Sequence, residues 1–229
     1  VCSSDLYLHF SSGTDIEDIN VGGAVNCVRF CEKTGARLIH FSTTSVSGAM
    51  IVSKASELRV LDEKSLYFGQ ILDNQYTTSK ILSERAVLEA AAERGLDAKV
   101  IRVGTLAARE SDGEFQINFL TNSFVERLRS YVILGCFPYS LMNAVMRMGP
   151  IDASAKGFMR LAQAPKACCL FNAINNHIIP TIDVIRIMQE FGLDIAIVDD
   201  NAFAAALTEA QKDPKKAAIL ASMLAYKGG

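Results

Sequence analysis

The sequence has no tryptophan, only five prolines and three histidines, and almost no net charge. A formal charge of -2 at pH 7 provides no electrostatic attraction for nucleic acid or for an anionic membrane surface. No apolar run reaches about 18 residues, so we predict no membrane span. What is present is a chain of 229 residues, half of them hydrophobic. That is enough to bury the core of one medium α/β domain, or of a domain with a small lobe.

The cysteines and histidines form no metal or disulfide pattern. Their spacing fits neither a zinc ribbon nor a small disulfide scaffold. Cys27 and Cys31 lie one helical turn apart and could form half of a metal site, but core packing is the favoured interpretation. We therefore predict buried thiols in a reducing, cytoplasmic compartment, and no metal. The residues are Cys2, Cys27, Cys31, Cys136, Cys168 and Cys169, with His9, His40 and His177.

The first six residues, "VCSSDL", resemble neither a signal peptide nor a helix or strand, and the chain does not begin with methionine. They can be encoded by a DNA sequence that resembles the end of a common sequencing adapter. We therefore expect residues 1–6 to be non-native and the natural chain to enter near Tyr7. A genuine loop is the alternative. Either interpretation predicts that this chain is a fragment.

Hydrophobic periodicity predicts two helices in the first half of the chain. The first covers residues 15–32, and Gly35 is the expected stop signal. The second covers 75–94, with Asp73 or Asn74 in the position that caps a helix.

Two short apolar runs alternate with these helices. "ARLIHFST" (36–43) and "AKVIRVG" (98–104) are rich in residues that favour buried strands. Buried strands joined by a helix are typical of a right-handed βαβ unit in a covered parallel sheet. The sequence therefore predicts the α/β class with a doubly wound parallel sheet.

The alternation breaks down between Thr105 and Pro150. A helix is predicted over 117–130, and an irregular apolar segment follows at 135–140, which suits a substrate lid or a pocket wall. The remainder is predicted to hold helices at 151–163 and 181–192, strands at 167–174 and 194–200, and two alanine-rich helices after Asn201.

Tyr76 and Lys80 in "NQYTTSK" lie four residues apart, on one face of the second predicted helix. The spacing alone is weak evidence, because it should arise by chance in roughly one chain in four of this size. An ammonium group beside a phenol favours the phenolate, so a tyrosine with an ordinary pKa of about 10 becomes a usable acid or base near neutrality.

A run of hydroxyl side chains, Ser42 to Ser45, leaves the carboxyl end of the first strand. Ligands bind at that edge of open α/β sheets, and a hydroxyl there could donate to a substrate carbonyl oxygen. A polar turn or a helix cap is the alternative interpretation of this run.

Taken in order, the segments "INVGGAVN", "FSTTSVSG", "YTTSK" and "VIRVG" resemble the extended short-chain dehydrogenase/reductase family. That family uses a Ser or Thr, a Tyr and a Lys in catalysis, and has an Arg-Pro-Gly-like turn after its sixth strand. The matching positions are Asn20 in the helix, Thr43, Tyr76 and Lys80 in the catalytic set, and Arg102, Val103 and Gly104 in the turn; Ala24 replaces the threonine of the family pattern.

Within that family, "HFSTTSV" and "DGEFQINFLTNSFVERL" are most similar to the thioester reductase branch. This branch includes terminal reductase domains of nonribosomal peptide synthetases, carboxylic acid reductases and fatty acyl reductases. The nucleotide-sugar epimerases usually carry Val-Tyr-Gly where Ser47 stands here. An extended short-chain epimerase, dehydratase or carbonyl reductase is the alternative, and a non-enzymatic relative that only binds a dinucleotide or a partner is the third.

The resemblance implies NADPH-dependent reduction of an acyl or peptidyl thioester on a phosphopantetheinyl carrier protein, giving an aldehyde or, after a second reduction, an alcohol. It implies that Tyr76 is the general acid, that Lys80 tunes Tyr76 and holds the nicotinamide ribose, and that Thr43 orients the carbonyl. The cofactor-binding set is Tyr76, Lys80, Arg102, Val103, Gly104 and Thr105. The substrate-contacting set is Thr44, Phe137, Tyr139 and His177; for Phe137 and Tyr139, packing is the favoured alternative.

The family's glycine-rich phosphate loop has no counterpart in the sequence. "NVGGAV" lies within a helix pattern and does not follow a strand. The residues that select NADP over NAD are expected upstream, so NAD is not excluded. We expect the C-terminal part of a doubly wound, Rossmann-type sheet with a smaller, mostly helical substrate-binding lobe. Residues 7–110 would be a partial NAD(P)-binding domain, and 111–229 would contain the lid, the last strands and the helical lobe.

Overall fold

The structure is a computed structural model that describes residues 15–48, 61–72 and 74–225. The chain divides into two compact units. The first is formed by the residues up to Glu114 together with Gly149–Asn175, and the second by Phe115–Met148 together with the residues from Asn176 onward. The chain thus leaves the first unit and returns to it before completing the second.

The helices of the described residues follow the predicted order. Shorter turns of other helix types occur as a π-turn at Asp18–Gly22 and as 3-10 turns at Thr44–Ser47, Phe119–Thr121 and Tyr139–Leu141. The α-helices are α1 (Asp15–Glu17), α2 (Gly23–Thr34), α3 (Gln75–Glu93), α4 (Ser123–Leu134), α5 (Ile151–Ala162), α6 (Thr181–Glu190), α7 (Asp200–Ala210) and α8 (Pro214–Ala225).

The strands form one three-stranded sheet and three pairs. They are β1 (Leu38–Thr43), β2 (Ala98–Val103), β3 (Thr105–Ala107), β4 (Cys136–Pro138), β5 (Val145–Met146), β6 (Met148–Pro150), β7 (Leu170–Ala173), β8 (Ile179–Pro180) and β9 (Ala196–Val198). The pairs are β3 with β6, β4 with β9, and β5 with β8.

The three-stranded sheet is the centre of the first unit. Its order is β1-β2-β7, and both neighbouring pairs are parallel. Leu38 is aligned with Ala98, and Thr43 with Val103, so β1 and β2 end side by side at their carboxyl ends. This arrangement confirms the α/β class and the parallel β1–α3–β2 unit.

The sequence explains where the helices of this unit begin and end. The side chain of Asn74 accepts a hydrogen bond from the Thr77 N–H at 2.9 Å, which caps α3 as one of the two predicted capping residues; Asp73, the other, lies outside the described residues. Helix α2 ends at Gly35, whose φ of 72° is the left-handed conformation that glycine adopts without strain.

One face of the sheet packs against α2 and α3. Buried side chains from both helices and from β1 and β2 form a single apolar cluster. Because successive residues of a strand face opposite sides, the residues of β1 that follow Leu38 on this face are His40 and Ser42. The other face packs against α5, where Phe41 and Phe158 meet edge to face with ring centroids 5.5 Å apart.

The second unit has its own core around α4 and α6. Tyr131 and Phe137 are buried with ring centroids 5.0 Å apart, and Ile182, Ile185 and Ile195 complete the cluster. The predicted irregular segment at 135–140 contains β4, which pairs in parallel with β9.

Two sequence predictions were wrong in detail. The helix predicted over 117–130 begins only at Ser123, because the Asn122 side chain accepts from the N–H groups of Phe124 and Val125 and so fixes the start of α4. The prediction of buried thiols holds for Cys31 and Cys136 but fails for Cys27 and Cys168, which are exposed; Cys2 lies outside the described residues. In the described part of the chain, no helix is long and apolar enough to cross a membrane.

Candidate active site

Thr43 is the last residue of β1 and has an extended backbone, with φ -133° and ψ 148°. Its Oγ1 accepts a hydrogen bond from the Ser45 N–H at 3.1 Å and thereby starts the 3-10 turn Thr44–Ser47. The polar-turn interpretation of this stretch is therefore correct in geometry. It does not compete with a chemical role, because an accepting hydroxyl oxygen leaves its own hydrogen for a second partner.

Tyr76 and Lys80 lie in the first two turns of α3, and both side chains are nearly enclosed, with 8% and 3% of their surface exposed. The Lys80 Nζ lies 5.8 Å from the centre of the Tyr76 ring and 3.5 Å from the Phe41 carbonyl oxygen. Lys80 therefore joins the start of α3 to the carboxyl half of β1. The structure brings the predicted tyrosine and lysine together beside the strand that ends in Thr43.

A side-chain link from the π-turn holds the same part of α3. The Asn20 amide donates to the Ser79 hydroxyl at 2.9 Å, and that hydroxyl donates to the Tyr76 carbonyl oxygen at 2.8 Å. Such π-turns within helices are often found at functional sites. Asn20 is thereby connected to the backbone of Tyr76 through one intervening side chain.

Four residues beyond Lys80 on α3, Glu84 forms a fully buried ion pair with Arg102 of β2. The Arg102 Nη2 donates to the Glu84 carboxylate at 2.8 Å and to the Ser65 carbonyl oxygen at 3.4 Å. Its Nε also donates to Glu84, and its Nη1 donates to the Asp62 carbonyl oxygen. The prediction that Arg102 contacts a cofactor is not supported by this geometry, because its side chain has no exposed surface. Arg102 instead fixes α3 to β2.

His40 and Ser42 lie on the face of β1 that packs against α3. The His40 Nε2 and the Ser42 Oγ are buried and have no hydrogen-bond partner in the described structure. Burial, and secondly repulsion from Lys80, lower the pKa of His40 to about 4. The imidazole is therefore uncharged at neutral pH and adds no positive charge next to Lys80.

The remaining predicted cofactor residues follow β2. Val103 is the register partner of Thr43, and Gly104 and Thr105 come directly after it at the same edge of the sheet. The Gly104 N–H donates to the Ala173 carbonyl oxygen at 3.3 Å, which keeps the chain paired with β7 for one further residue. The parallel pairing of the three strands thus brings their carboxyl ends together at this edge.

The predicted substrate residues are divided between the units. Thr44 is half-buried in the turn after β1. Phe137 is fully buried in the core of the second unit, as the packing alternative expects, whereas Tyr139 is 67% exposed and His177 is exposed. Of the four, Thr44 alone adjoins Tyr76 and Lys80 within the first unit.

Sequence reasoning missed the roles of Glu84, Ser79 and His40, whereas Ser42 belongs to the predicted run of hydroxyl side chains. Glu84 had a readable signal, because Tyr76, Lys80 and Glu84 recur every four residues and therefore share one face of α3. Nothing in the local sequence marks Ser79, whose role depends on Asn20 of a distant segment.

A dinucleotide fits these residues at its nicotinamide end. Tyr76, Lys80 and Thr43 offer O–H and N–H donors at one edge of the sheet, which suits a ribose and a carbonyl oxygen. Among the described residues no glycine-rich turn joins a strand to a helix for the pyrophosphate, since Gly22 and Gly23 lie inside the helical segment, as predicted. The same residues contain no group of side chains that could hold a metal ion.

Comparison with known sequences identifies related reductases and sugar enzymes. The chain is 31% identical over 144 residues to the glycine betaine reductase ATRR of Emericella nidulans, covering 62% of this chain and 11% of that protein. It is 36% identical over 92 residues to the UDP-D-apiose/UDP-D-xylose synthase of Oryza sativa subsp. japonica, covering 34% of this chain and 23% of that protein.

Solved structures extend the similarity to nearly the whole chain. A thiolation-reductase di-domain of an archaeal non-ribosomal peptide synthetase matches 96% of this chain and 47% of its own, with a TM-score of 0.83 and 33% identity. The reductase domain of the aureusimine biosynthetic cluster matches 93% and 55%, with a TM-score of 0.75 and 27% identity. The chain therefore spans about half the length of these structures.

The family is identified by a match that covers most of the unit containing the three-stranded sheet. The model of the male sterility protein family matches residues 7–158, which is well over half of the chain. Its neighbours among solved structures share the extended short-chain dehydrogenase/reductase fold. The chain belongs to the male sterility protein family.

Proposed function

We propose that this chain is part of an NADPH-dependent reductase that converts a carrier-bound acyl or peptidyl thioester into an aldehyde. The observation that carries the proposal is the position of Lys80 Nζ, 5.8 Å from the Tyr76 ring, at the edge of the sheet where β1 ends in Thr43. Similarity to a thiolation-reductase di-domain at 33% identity over 96% of the chain supports the substrate class.

Tyr76, Thr43 and Lys80 have different roles in the reaction at the carbonyl group. NADPH, when bound, supplies the hydride that reduces the carbonyl carbon. Tyr76 donates its phenolic proton to the carbonyl oxygen, and Thr43 donates a hydrogen bond to the same oxygen. The product of this step is a hemithioacetal. Its C–S bond then breaks, the carbonyl group of the aldehyde forms, and the hydroxyl proton leaves with the sulfur as the thiol of the carrier. Lys80 favours the ionised phenol by its charge, so that Tyr76 can give up this proton.

Several groups would hold the nicotinamide end of the cofactor. The Lys80 ammonium and the Tyr76 hydroxyl are the donors for the ribose, and the backbone of Val103, Gly104 and Thr105 adjoins them at the edge of the sheet. The preference for NADP over NAD is part of the proposal, but the residues named here do not distinguish the two cofactors.

The proposed partner is a phosphopantetheinyl carrier protein. It would present the thioester and retain the free thiol once the aldehyde has left; a second reduction would give an alcohol. The protein would act in the cytoplasm, as the cysteine content predicts. Similarity to a UDP-D-apiose/UDP-D-xylose synthase favours a sugar-nucleotide enzyme as the second candidate, over a shorter stretch of 92 residues.

The test replaces Tyr76 by Phe in the complete protein and follows NADPH oxidation with a carrier-bound thioester and with a UDP-sugar. We expect the variant to lose at least about 100-fold in kcat, because general acid catalysis contributes on that scale, and to retain its affinity for NADPH. Tyr67→Phe is the matched control, since Tyr67 is 68% exposed in the same unit.

Two outcomes would contradict the proposal. Substantial thioester reduction by Tyr76→Phe would remove Tyr76 from the role of acid. Turnover of the UDP-sugar but not of the thioester by the unaltered protein would favour the second candidate.

A further inference from the structure

Residues 61–72 form a strap that crosses the carboxyl ends of the strands in the three-stranded sheet. The Asn172 side chain of β7 donates to the Leu61 carbonyl oxygen at 3.0 Å, and the Arg102 side chain of β2 donates to the Asp62 carbonyl oxygen at 3.0 Å. The other end of the strap precedes α3 and is bonded to the turn that follows β1. The strap is thus held near the carboxyl end of each strand.

Gln70 bonds the strap to this turn. Its side chain is only 3% exposed. Its Nε2 donates to the carbonyl oxygens of Val46 and Leu66, both at 3.2 Å, and its Oε1 accepts from the Phe68 N–H at 2.9 Å. A side-chain amide has two N–H donors, and both are used here. Gln70 therefore has no donor left for a substrate, and any influence on a reaction must act through the groups that it holds.

The strap and the turn are also in close backbone contact. Gly48 directly follows the turn Thr44–Ser47 and has φ 58° and ψ -170°, a combination that only glycine adopts readily. A Cβ atom at this position would lie 2.3 Å from the Ile71 carbonyl oxygen, closer than any side chain could approach. Val46 of the turn is fully buried. The strap therefore lies directly against the turn.

The same turn fixes the side chain of Thr43. The Ser45 N–H donates to the Thr43 Oγ1 at 3.1 Å, and Ser45 adjoins Val46, whose carbonyl oxygen accepts from Gln70. The place at which Oγ1 is held determines where the hydroxyl group can donate its own hydrogen bond. Displacing a reacting group by about 1 Å can lower a rate about 100-fold. The bond from Gln70 to the turn therefore bears on the alignment of Thr43.

Tyr76 and Lys80 are held by bonds that do not involve Gln70. The Asn74 side chain caps the start of α3, and the buried ion pair of Glu84 fixes the helix to β2. A change at Gln70 should therefore leave the proposed acid and its ammonium partner in place.

We propose that Gln70 is a positioning residue for Thr43: through the Val46 carbonyl oxygen it holds the turn that aligns the Thr43 hydroxyl with the carbonyl oxygen of the substrate. The inference rests on the proposed function for the role of Thr43, and it adds a residue outside the Thr, Tyr and Lys set. It also gives the strap a part in the reaction, as the segment that supports the hydroxyl donor.

The kinetic test combines Gln70→Met with Thr43→Val in the complete protein, with NADPH and a carrier-bound acyl thioester. Thr43→Val should lower kcat about 100-fold, because it removes one donor to the developing oxyanion. Gln70→Met should lower kcat at least about tenfold and leave the affinity for NADPH unchanged. In the Thr43→Val background the same change should lower kcat by less than about twofold, because residues that act through one group are not additive. Gln163→Met, at an exposed position in the same unit, is the matched control and should leave kcat unchanged.

Hydrogen exchange measures the hold on the turn without any reaction. The Ser45 N–H is bonded to the Thr43 Oγ1, and the Gly48 N–H to the Ser45 carbonyl oxygen. In Gln70→Met both should exchange at least about tenfold faster than in the unaltered protein, because the turn opens more often. The Thr77 N–H, which is bonded to the cap of α3, should exchange at an unchanged rate.

A second variant applies if Gln70→Met fails to fold. Gln70→Glu keeps the shape of the side chain and the oxygen that accepts from Phe68, but the ionised carboxylate has no donor for the turn. It replaces Gln70→Met in both experiments with the same expected results.

The inference is overturned if the change at Gln70 lowers kcat by the same factor with and without Thr43→Val, or if exchange at Ser45 and Gly48 does not change. Failure of the proposed function looks different. In that case the unaltered protein reduces no thioester, while the exchange comparison still decides whether Gln70 holds the turn beside Thr43.

Discussion

The two halves of α3 bury opposite kinds of side chain. The first half encloses Tyr76, Lys80 and Glu84, together with hydroxyl side chains. The second half contributes Val87 and Ala90, both fully buried, to the apolar cluster shared with α2 and the sheet. One continuous helix thus contains a mainly polar interior, with Ile81 among the buried residues, followed by an ordinary hydrophobic core.

The difference shows how the mainly polar half, in which Ile81 is a buried aliphatic residue, is held in place. Burying polar and charged groups is unfavourable unless each finds a partner. Here the Glu84 carboxylate is paired with Arg102, and Ser79 is bonded to Asn20 and to the Tyr76 carbonyl oxygen. The half that positions Tyr76 and Lys80 therefore depends on specific partners, whereas the other half depends on packing.

The largest expected effect comes from removing one partner of the buried ion pair. Glu84→Gln keeps the shape of the side chain but leaves the Arg102 charge buried without its counter-charge. We expect the free energy of unfolding of the complete protein, measured in urea, to fall by about 3–5 kcal/mol. The exposed pair of Arg85 and Glu89 on the same helix provides the control, since Glu89→Gln should cost only about 0–1 kcal/mol. Equal losses in the two variants would show that the polar half does not depend on its buried charges.

The second effect is a pH dependence that belongs to the polar half. The pKa of His40 is lowered from 6.5 to about 4 in the folded protein, so between these values the unfolded chain binds a proton that the folded chain does not. Stability should therefore fall as the pH is lowered from 6.5 to 4, by about 3 kcal/mol in total. His40→Gln should lack this component, and His177→Gln, at an exposed position, should retain it. Parallel stability profiles for wild type and His40→Gln would contradict the prediction.

The smallest of the three effects tests the apolar half. Val87→Ala removes two carbon atoms from a fully buried position and should cost about 2 kcal/mol of unfolding free energy. It should leave kcat unchanged, because Val87 contacts the core cluster and not the start of the helix. Val145→Ala, at a position that is 53% exposed, is the control and should be close to neutral. A fall in kcat for Val87→Ala would mean that the two halves are not independent.

Most of the fold could be predicted because local sequence patterns determine where its strands and helices lie. Apolar runs located β1 and β2, and capping by Asn74 and the glycine at position 35 located helix ends. The start of α4 was misplaced because the run 117–122 is apolar enough to continue a helix, while the competing bond from the Asn122 side chain is a single-residue feature. Periodicity averages over several residues and cannot register such a bond.

The site was predictable in part for the same reason. Tyr76 and Lys80 are four residues apart, so their proximity follows from helix geometry alone. The enclosure of Arg102 does not, because Glu84, Asp62 and Ser65 come from segments 18 to 40 residues distant in the chain. The local sequence around an arginine at a strand end is the same whether the side chain borders a ligand site or is buried beneath it.

The π-turn at Asp18–Gly22 makes the protein sensitive to the removal of a residue from this segment. Each residue of an α-helix turns the chain by about 100°, so deleting Val21 or Gly22, which separate Asn20 from α2, would rotate Asn20 relative to α2. Asn20 would then point away from Ser79, although the segment itself is not buried. The number of residues between Asn20 and α2, as much as their identity, therefore determines whether this hydrogen bond forms.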